Sequence, residues 1–318
     1  MIVTLTANPS MDRTVELVSA LVRGGVQRAS SASAQAAGKG VNVSRALVAA
    51  GVPTLAVLPG DAADPVVLGL LEAGLPHRAL PVGQPLRSNI TLAEPDGTTT
   101  KVNEPGPVLT AEHQRLLAAT TVAASSGAAW AVLAGSLPPG VDAGFYAALT
   151  VQLRRELGDA APRIAVDTSG EPLRALFAAG RASAPDLIKP NAEELAELTS
   201  LGSEAEFEAD PRFAATAARS LVDSGTGAVL ATLGARGAVL VTRDGAWLAT
   251  HPPVAARSTV GAGDSSLAGY LLAHSRGASA PDCLRQAVAH GSAAVSLPGS
   301  TIPTVEQTAP ASVTVVEL

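Results

Sequence analysis

Short apolar runs with strand character alternate along this chain with longer alanine- and leucine-rich stretches of helical spacing. The predicted strands are Ile2–Thr6, Thr54–Leu58, Ala129–Ala134, Arg163–Asp167, Asp186–Lys189 and Ala228–Thr232. The predicted helices are Gly40–Ala50, Pro65–Ala73, Thr110–Ser125, Asp142–Leu157, Glu171–Ala179, Asn191–Leu198 and Phe213–Ser224. This order of elements predicts a three-layer α/β/α fold with a mainly parallel central sheet.

Two segments, residues 13–34 and 87–103, do not follow this alternation of strands and helices. The second has Pro95-Asp-Gly97 between two alternating runs, which is a hairpin signal. Such segments cannot form central parallel strands, because they alternate and a tight turn joins them. We therefore predict an α/β body of residues 1–12, 35–86 and 104–318, with residues 13–34 and 87–103 projecting as a small β-layer. The acidic stretch Glu204–Asp210 is predicted to be a solvated loop or the start of a helix.

The composition argues against several classes of protein. The net charge is −6 and the basic residues are scattered, which does not favour nucleic-acid binding. No apolar stretch approaches the roughly 18 residues that a membrane span needs. Cys283 is the only cysteine, so no intrachain disulfide forms, and the histidines lack metal-ligand spacing. With no signal peptide recognised at Met1, we expect a cytoplasmic protein.

Polar residues and glycines follow the predicted strands, at the edge where an open parallel sheet binds its ligands. These segments are Asn8–Asp12, Gly135–Gly140, Asp167–Gly170, Lys189–Glu194 and Thr232–Gly237. Any one of them could be an ordinary turn or helix cap. Their repetition along one edge favours a binding site.

The segment Gly261-Ala-Gly-Asp264 is the strongest single motif. Its glycines allow a sharp turn at the start of a helix, where free N–H groups and a partial positive charge can hold a phosphate. A carboxylate in that first turn can accept the proton of an attacking hydroxyl. An ordinary glycine turn with Asp264 as a helix residue has the same spacing, so the spacing leaves both interpretations open.

Two further helix starts have a structural and a functional interpretation. Lys39, between Gly38 and Gly40, can reach a substrate phosphate or be a surface lysine on a turn. Asn191 and Glu194 have the spacing of a capping box, and they could also support Mg²⁺ and nucleotide phosphates. Neither segment is a Walker loop or a dinucleotide fingerprint.

Taken together, the motifs resemble those of the ribokinase-like carbohydrate kinases, the PfkB family, over nearly the whole chain. Within that family the chain is most similar to 1-phosphofructokinases and tagatose-6-phosphate kinases. The segments that carry the resemblance are Thr6–Glu16, Ala37–Asn42, Asn103–Gly106, Gly135–Gly140, Asp167–Gly170, Lys189–Glu194 and Gly261–Asp264. Ala37 and Ala7 depart from the family pattern, which usually has glycine and proline at these positions.

The resemblance implies a role for each matching residue. Asp264 would be the general base, and Gly261, Ala262 and Gly263 the anion hole. The nucleotide would lie against Thr232, Leu233, Gly234, Ala235, Arg236, Gly237 and Asn191, with Glu194 holding Mg²⁺ through water. The sugar phosphate would be bound by Asp12, Gly38, Lys39, Gly40, Asn42, Arg87 and Arg28.

The implied reaction is ATP-dependent phosphorylation of fructose 1-phosphate to fructose 1,6-bisphosphate. Tagatose 6-phosphate and fructose 6-phosphate are alternative substrates, since the same side chains suit all three. A non-catalytic sugar-phosphate sensor is an alternative of another class. The resemblance also implies that the β-layer forms a lid, and that two subunits pair through it as a homodimer.

Overall fold

A computed structural model describes residues 1–318. Its fourteen strands are β1 Ile2–Thr6, β2 Ser10–Leu17, β3 Ala29–Ala37, β4 Thr54–Pro59, β5 His77–Leu80, β6 Arg87–Ala93, β7 Thr99–Asn103, β8 Trp130–Ala134, β9 Arg163–Asp167, β10 Leu187–Ile188, β11 Ala228–Thr232, β12 Ala238–Thr242, β13 Ala246–Thr250 and β14 Thr314–Glu317. Its ten α-helices are α1 Lys39–Ala49, α2 Pro65–Glu72, α3 Ala111–Ser125, α4 Phe145–Leu157, α5 Gly170–Ala178, α6 Ala192–Thr199, α7 Glu204–Ala209, α8 Pro211–Asp223, α9 Ala262–Ser275 and α10 Ala280–Val295.

Ten strands form one large sheet, in the order β14-β13-β12-β11-β10-β9-β8-β1-β4-β5. All pairs from β11 to β5 are parallel, whereas β12, β13 and β14 extend the sheet in antiparallel fashion. All six predicted strands are present, and the prediction of a mainly parallel sheet is confirmed. The sequence analysis missed β5 and the antiparallel extension.

The sheet is buried on both faces because successive side chains of a strand point to opposite sides. On β8, Ala131 and Leu133 join one core cluster, whereas Trp130, Val132 and Ala134 join the other. The first cluster includes residues of α3, α4, α6 and α8, and the second includes residues of α1, α9 and α10. This arrangement confirms the three layers. None of the helices has the length and apolarity needed to cross a membrane.

Capping side chains set several helix boundaries. The predicted start of α4 at Asp142 is too early: the Asp142 carboxylate accepts the N–H of Gly144 at 2.7 Å in a turn, and α4 starts at Phe145. The acidic stretch at 204–210 forms the short helix α7, which Ser203 caps with a capping box. The capping box predicted for α6 is also present.

A second, four-stranded sheet in the order β3-β2-β6-β7 corresponds to the predicted β-layer. It begins earlier than predicted, since Ser10 pairs with both Ala37 of β3 and Arg87 of β6. The Pro-Asp-Gly turn joins β6 and β7, where the Asp96 carboxylate accepts the N–H of Thr98 at 2.9 Å. The end of the β-layer at Ser10, Ala37 and Arg87, which we call its body end because it joins the α/β body, therefore lies beside the start of α1.

Gly237, at the turn into β12, provides a test of this packing. Its φ is +93°, and an added Cβ would run into the carbonyl oxygen of Ala249 on β13. We expect Gly237→Ala to lower the free energy of unfolding by about 2–4 kcal/mol, from left-handed backbone strain plus overpacking. The control Gly127→Ala has a φ of +69° but open space around the new Cβ, so a loss of only about 1 kcal/mol is expected. Equal losses in urea denaturation would contradict the close approach of the two strands.

Candidate active site

Polar side chains from the ends of the parallel strands meet the starts of α1 and α9. Lys39 opens α1, Asp167 ends β9 and Lys189 follows β10 directly. Asn42 on α1 contacts Asp264 on α9, although 222 residues separate them. The edge predicted from the sequence thus brings together side chains from distant parts of the chain.

Asp264 lies in the first turn of α9 and is only 7% exposed. Its Oδ2 accepts a hydrogen bond of 2.8 Å from Asn42 Nδ2. Burial raises the pKa of the Asp264 carboxyl, while the nearby Lys39 ammonium and the Asn42 hydrogen bond oppose that rise. The carboxylate is therefore a better proton acceptor than an exposed aspartate, and its charged form still has partners.

Backbone amides at the start of α9 are left free beside this carboxylate. The N–H groups of Gly261, Gly263 and Asp264 make no hydrogen bond within the chain, and Ala262 N donates only a long one, 3.4 Å, to Thr259 O. Gly261 caps the helix with a φ of +77°, which favours glycine. Free amides at a helix N-terminus form a site for an anion.

A buried carboxylate between two lysines stands next to these amides. Lys39 Nζ donates to Asp167 Oδ1 at 2.7 Å, and Lys189 Nζ lies 3.2 Å from Asp167 Oδ2. Burial would raise the pKa of Asp167, but Lys189 and Lys39 hold it below its ordinary value. Burial would likewise lower the pKa of Lys39, yet Asp167 and Asp264 keep it above its ordinary value. Asp167 and Lys39 are therefore both charged at neutral pH.

Gly263 lets the Lys189 side chain approach the start of α9. A Cβ on Gly263 would lie 3.0 Å from Lys189 Nζ, so a larger residue would crowd the ammonium group. No individual role was predicted for Asp167 or Lys189, although both lie at strand ends on the binding edge. Their position, with Asp167 the last residue of β9 and Lys189 directly after β10, was the signal that could have identified them.

The nucleotide-site candidates also lie at this edge. Asn191 and Glu194 form the reciprocal capping box of α6, with hydrogen bonds of 2.9 and 2.7 Å. Asn191 also pairs with Thr232, where β11 leads into the turn Gly234–Arg236. Burial raises the pKa of Glu194, an effect that Lys39 and Lys189 oppose. The structure therefore joins the predicted segments 191–194 and 232–237.

A second polar cluster lies where the β-layer meets the body. Asp12 Oδ1 accepts hydrogen bonds from Ser10 Oγ at 2.7 Å and from Asn89 Nδ2 at 2.9 Å. Burial lowers the pKa of both Arg87 and Arg45, and Asp12 opposes this in each case. Sequence reasoning missed Arg45, although it lies three residues after Asn42 on the same helix and so shares its face.

The glycines of the Gly38-Lys-Gly40 segment let α1 start against β1. Gly38 has a φ of +126°, and a Cβ on Gly40 would lie 2.5 Å from Thr6 Oγ1 and 2.8 Å from Leu5 O. This contact places Lys39 and Asn42 beside Asp167 and Asp264. The close approach explains why glycine is required at position 40.

Of the three cations predicted to hold the sugar phosphate, Arg28 lies apart from Lys39 and Arg87. Lys39 is engaged by Asp167, whereas Arg87 lies near Asp12. Arg28 is exposed and directly precedes β3. In the pairing with β2, the start of β3 at Ala29 lies opposite Leu17, and its end at Ala37 lies opposite Ser10 at the body end. At about 3.3 Å per residue, Arg28 lies nearly 30 Å along the β-layer from the body end.

Comparison with known proteins agrees with this geometry. The sequence model described as pfkB family carbohydrate kinase matches residues 6–307. The chain is 35% identical to the 1-phosphofructokinase of Xanthomonas campestris pv. campestris, over 85% of this chain and 83% of that protein. It is 33% identical to the ATP-dependent 6-phosphofructokinase isozyme 2 of Mycobacterium tuberculosis, over 94% of this chain and 85% of that protein.

A solved structure shows the same fold. The crystal structure of phosphofructokinase-2 from Escherichia coli in complex with substrates and products aligns with a TM-score of 0.86 and 30% identity, covering 96% of each chain. The resemblance noted in the sequence and the predicted ribokinase-like fold are thereby confirmed. This chain belongs to the pfkB family of carbohydrate kinases.

Proposed function

We propose that this chain transfers the γ-phosphoryl group of ATP to fructose 1-phosphate and so forms fructose 1,6-bisphosphate. The observation that carries the proposal is the buried Asp264 carboxylate beside the free amides of Gly261 and Gly263. A proton acceptor next to an anion site is what transfer of a phosphoryl group to a hydroxyl requires. The 1-phosphofructokinase relative supports the choice of sugar.

Asp264 is proposed to be the general base. The acceptor hydroxyl gives its proton to the Asp264 carboxylate while its oxygen forms a bond to the γ-phosphorus. The bond between that phosphorus and the bridging oxygen of ADP breaks, and ADP leaves with the electron pair. The raised pKa of Asp264 makes the carboxylate a stronger base, and the Asn42 hydrogen bond holds it in position.

The start of α9 and the two lysines are proposed to stabilise the charge on the transferring group. The amides of Gly261 and Gly263 point from a helix N-terminus, and each donor of this kind contributes about 2.7–4 kcal/mol in well-studied enzymes. Lys189 and Lys39 add positive charge, and Asp167 fixes both ammonium groups beside the helix start. Asp167 is therefore a positioning residue, since it contacts the lysines and not the reacting atoms.

Glu194 fits a role in holding Mg²⁺ through water. Its Oε2 accepts the N–H of Asn191, which leaves Oε1 without a hydrogen bond in the chain. No cluster of three metal-ligating side chains exists, so most ligands would be phosphate oxygens and water, as Mg²⁺ prefers. When bound, the ion neutralises charge on the β- and γ-phosphates. The nucleotide itself is proposed to lie against residues 232–237.

The cluster around Asp12 is proposed to bind the sugar phosphate. Asp12, Asn89 and Asn42 offer hydrogen bonds to sugar hydroxyls, and Arg87 with Arg45 provides positive charge for the phosphate. Fructose 6-phosphate is the second candidate acceptor, favoured by the similarity to a 6-phosphofructokinase isozyme. Tagatose 6-phosphate remains a third candidate, because the same side chains suit it.

The β-layer is proposed to act as the lid and as a dimer interface. Its strand β3 exposes small side chains from Ala29 to Ala34, and the exposed Val18, Val22 and Val26 lie at its far end. A sheet surface of small and apolar residues suits packing against a second copy of the chain.

The cytoplasm is the proposed compartment, because the single cysteine is buried and the proposed reaction needs ATP.

Replacing the base tests the proposal most simply. We expect Asp264→Asn to lower kcat at least about 100-fold, because the amide cannot accept the proton. The matched control, Asp159→Asn at an exposed site, is expected to leave kcat unchanged. A coupled assay of ADP release measures both. A near-normal kcat in the Asp264 variant would reject its role as base.

The pH profile tests the hydrogen bond to that base. Asn42 favours the ionised form of Asp264, so Asn42→Ala is expected to raise the pKa of the carboxyl further. The acidic limb of the kcat profile, measured at saturating substrates, should therefore move to higher pH. The alkaline limb serves as the internal control. An unchanged acidic limb would contradict the assignment of that limb to Asp264.

A panel of acceptors tests the sugar site. We expect kcat/KM to be highest for fructose 1-phosphate among fructose 1-phosphate, fructose 6-phosphate and tagatose 6-phosphate. Arg87→Gln should raise KM for the preferred sugar phosphate about tenfold or more, with little change in KM for ATP, since a charge-assisted contact is lost. Arg78→Gln, an exposed arginine on β5, is the control. Equal effects on both KM values would contradict a sugar-phosphate role for Arg87.

A further inference from the structure

A cavity of about 560 Å³ lies at the other end of the central sheet from the candidate active site. It is lined by the first residues of β8, β9 and β11, which are Trp130, Arg163 and Ala228, and by Asp186 just before β10. The catalytic candidates follow the opposite ends of these strands, roughly 16 Å away for five residues of strand. The cavity has the size of a small-molecule site and is separate from the catalytic one.

The lining of this cavity is rich in positive charge. Arg154, Arg163, Arg181 and Arg243 line it, against only two carboxylates, Asp186 and Asp244. The chain as a whole has a net charge of −6, so the cavity differs in sign from the rest of the molecule. Such a concentration of one charge in a concave site attracts an oppositely charged ligand.

Two of the four arginines have structural partners. Arg154 donates to the carbonyl oxygens of Ala182 and Ala184, and Arg181 donates to that of Asp223. Asp186 is also occupied, since its Oδ2 accepts the N–H of Ile164 at 2.8 Å and lies 3.5 Å from Arg154. These contacts hold the rim of the cavity in place.

The other two arginines are available to a ligand. Neither Arg163 nor Arg243 forms a salt bridge or a side-chain hydrogen bond in the structure, although both line the cavity. Arg163 begins β9, and Arg243 lies in the turn between β12 and β13. Arg163 is part of a sheet strand, and the turn that carries Arg243 is held between two paired strands, so both backbones are positioned without any ligand.

Aromatic side chains form another wall and add donors. Trp130 Nε1 donates to His274 Nδ1 at 3.2 Å, which leaves Nε2 as the protonated nitrogen of the neutral imidazole. Tyr270 is only 5% exposed, and its hydroxyl has no hydrogen-bond partner within the chain. Burial, and then the charge of Arg163, lower the pKa of His274, while Asp186 opposes the change. The lining thus has several free donors, and Asp244 is its one carboxylate without a hydrogen bond or ion pair in the chain.

We propose that this cavity is a second binding site, which takes a phosphate-bearing small molecule. Guanidinium groups pair with phosphate oxygens through parallel hydrogen bonds, and Arg163 and Arg243 are the groups free to do so. Tyr270 and His274 supply further donors to the oxygens. The proposal concerns binding at a surface remote from Asp264, so it does not depend on the proposed reaction.

Fluorescence of Trp130 gives a direct test. The chain has two tryptophans, and Trp247→Phe leaves Trp130 in the cavity wall as the only one. In that background, inorganic phosphate, pyrophosphate, fructose 1-phosphate and ATP are titrated separately. We expect at least one of them to change the emission saturably, and the tightest identifies the source of the phosphate group. Calorimetry of the same samples detects binding that leaves the emission unchanged.

Arginine variants assign that binding to the cavity. The double variant Arg163→Gln, Arg243→Gln should weaken it at least about tenfold, because two charge-assisted contacts are lost. The control Arg155→Gln, Arg212→Gln removes the same charge from exposed positions outside the cavity and should bind as before. KM for ATP and KM for the sugar phosphate should be unchanged in both double variants. If the glutamine variant fails to fold in a urea denaturation check, Arg163→Lys, Arg243→Lys keeps the charge and should bind with an intermediate affinity.

Two results would overturn the proposal. One is the absence of saturable binding of inorganic phosphate and pyrophosphate, and of any site for fructose 1-phosphate or ATP beyond the proposed catalytic one, both in fluorescence and in calorimetry. The other is an equal dissociation constant in the cavity variant and its control.

Discussion

The proposed catalytic edge of this protein depends on one buried carboxylate, Asp167, held between Lys39 and Lys189. Each ammonium group lies within 3.2 Å of one of its oxygens. Without Asp167, two ammonium groups would face each other beside the start of α9 with no carboxylate between them. With it, the pKa of Lys39 stays above its ordinary value, and both ammonium groups are held in place next to Asp264. The same contact joins α1, β9 and the end of β10, so the charge network also fixes the relative position of the elements that carry the site.

Much of the architecture could be predicted from local pattern. The strand Trp130–Ala134 is apolar throughout because both of its faces are buried, and the spacing of Asn191 and Glu194 is realised as a capping box. The glycine turn before Asp264 leaves amides free, as its residues indicate. Each of these features is determined by residues that are close together in the sequence, which is why the sequence predicts it.

The missed features depend on distant contacts. The pairing of Lys39 with Asp167 spans 128 residues, and nothing near Lys39 in the sequence indicates that it also contacts a buried carboxylate. Arg28 belongs to the predicted β-layer, but the strand register places it far from Arg87. The antiparallel strand β14 pairs with β13 across more than sixty residues, and its short exposed sequence has no distinctive pattern. In each case the deciding information is tertiary.

The two proposed sites lie along the same helix, α9. Asp264 stands in its first turn at the proposed catalytic edge, and Tyr270 and His274 lie further along the helix in the wall of the arginine-lined cavity. A crystal structure with a non-hydrolysable ATP analogue, Mg²⁺ and fructose 1-phosphate tests the proposed role of Asp264. We expect the γ-phosphate against the amides of residues 261–263 and the acceptor hydroxyl within hydrogen-bonding distance, about 2.6–3.2 Å, of the Asp264 carboxylate. A γ-phosphate bound elsewhere, or an acceptor hydroxyl out of reach of Asp264, would contradict it.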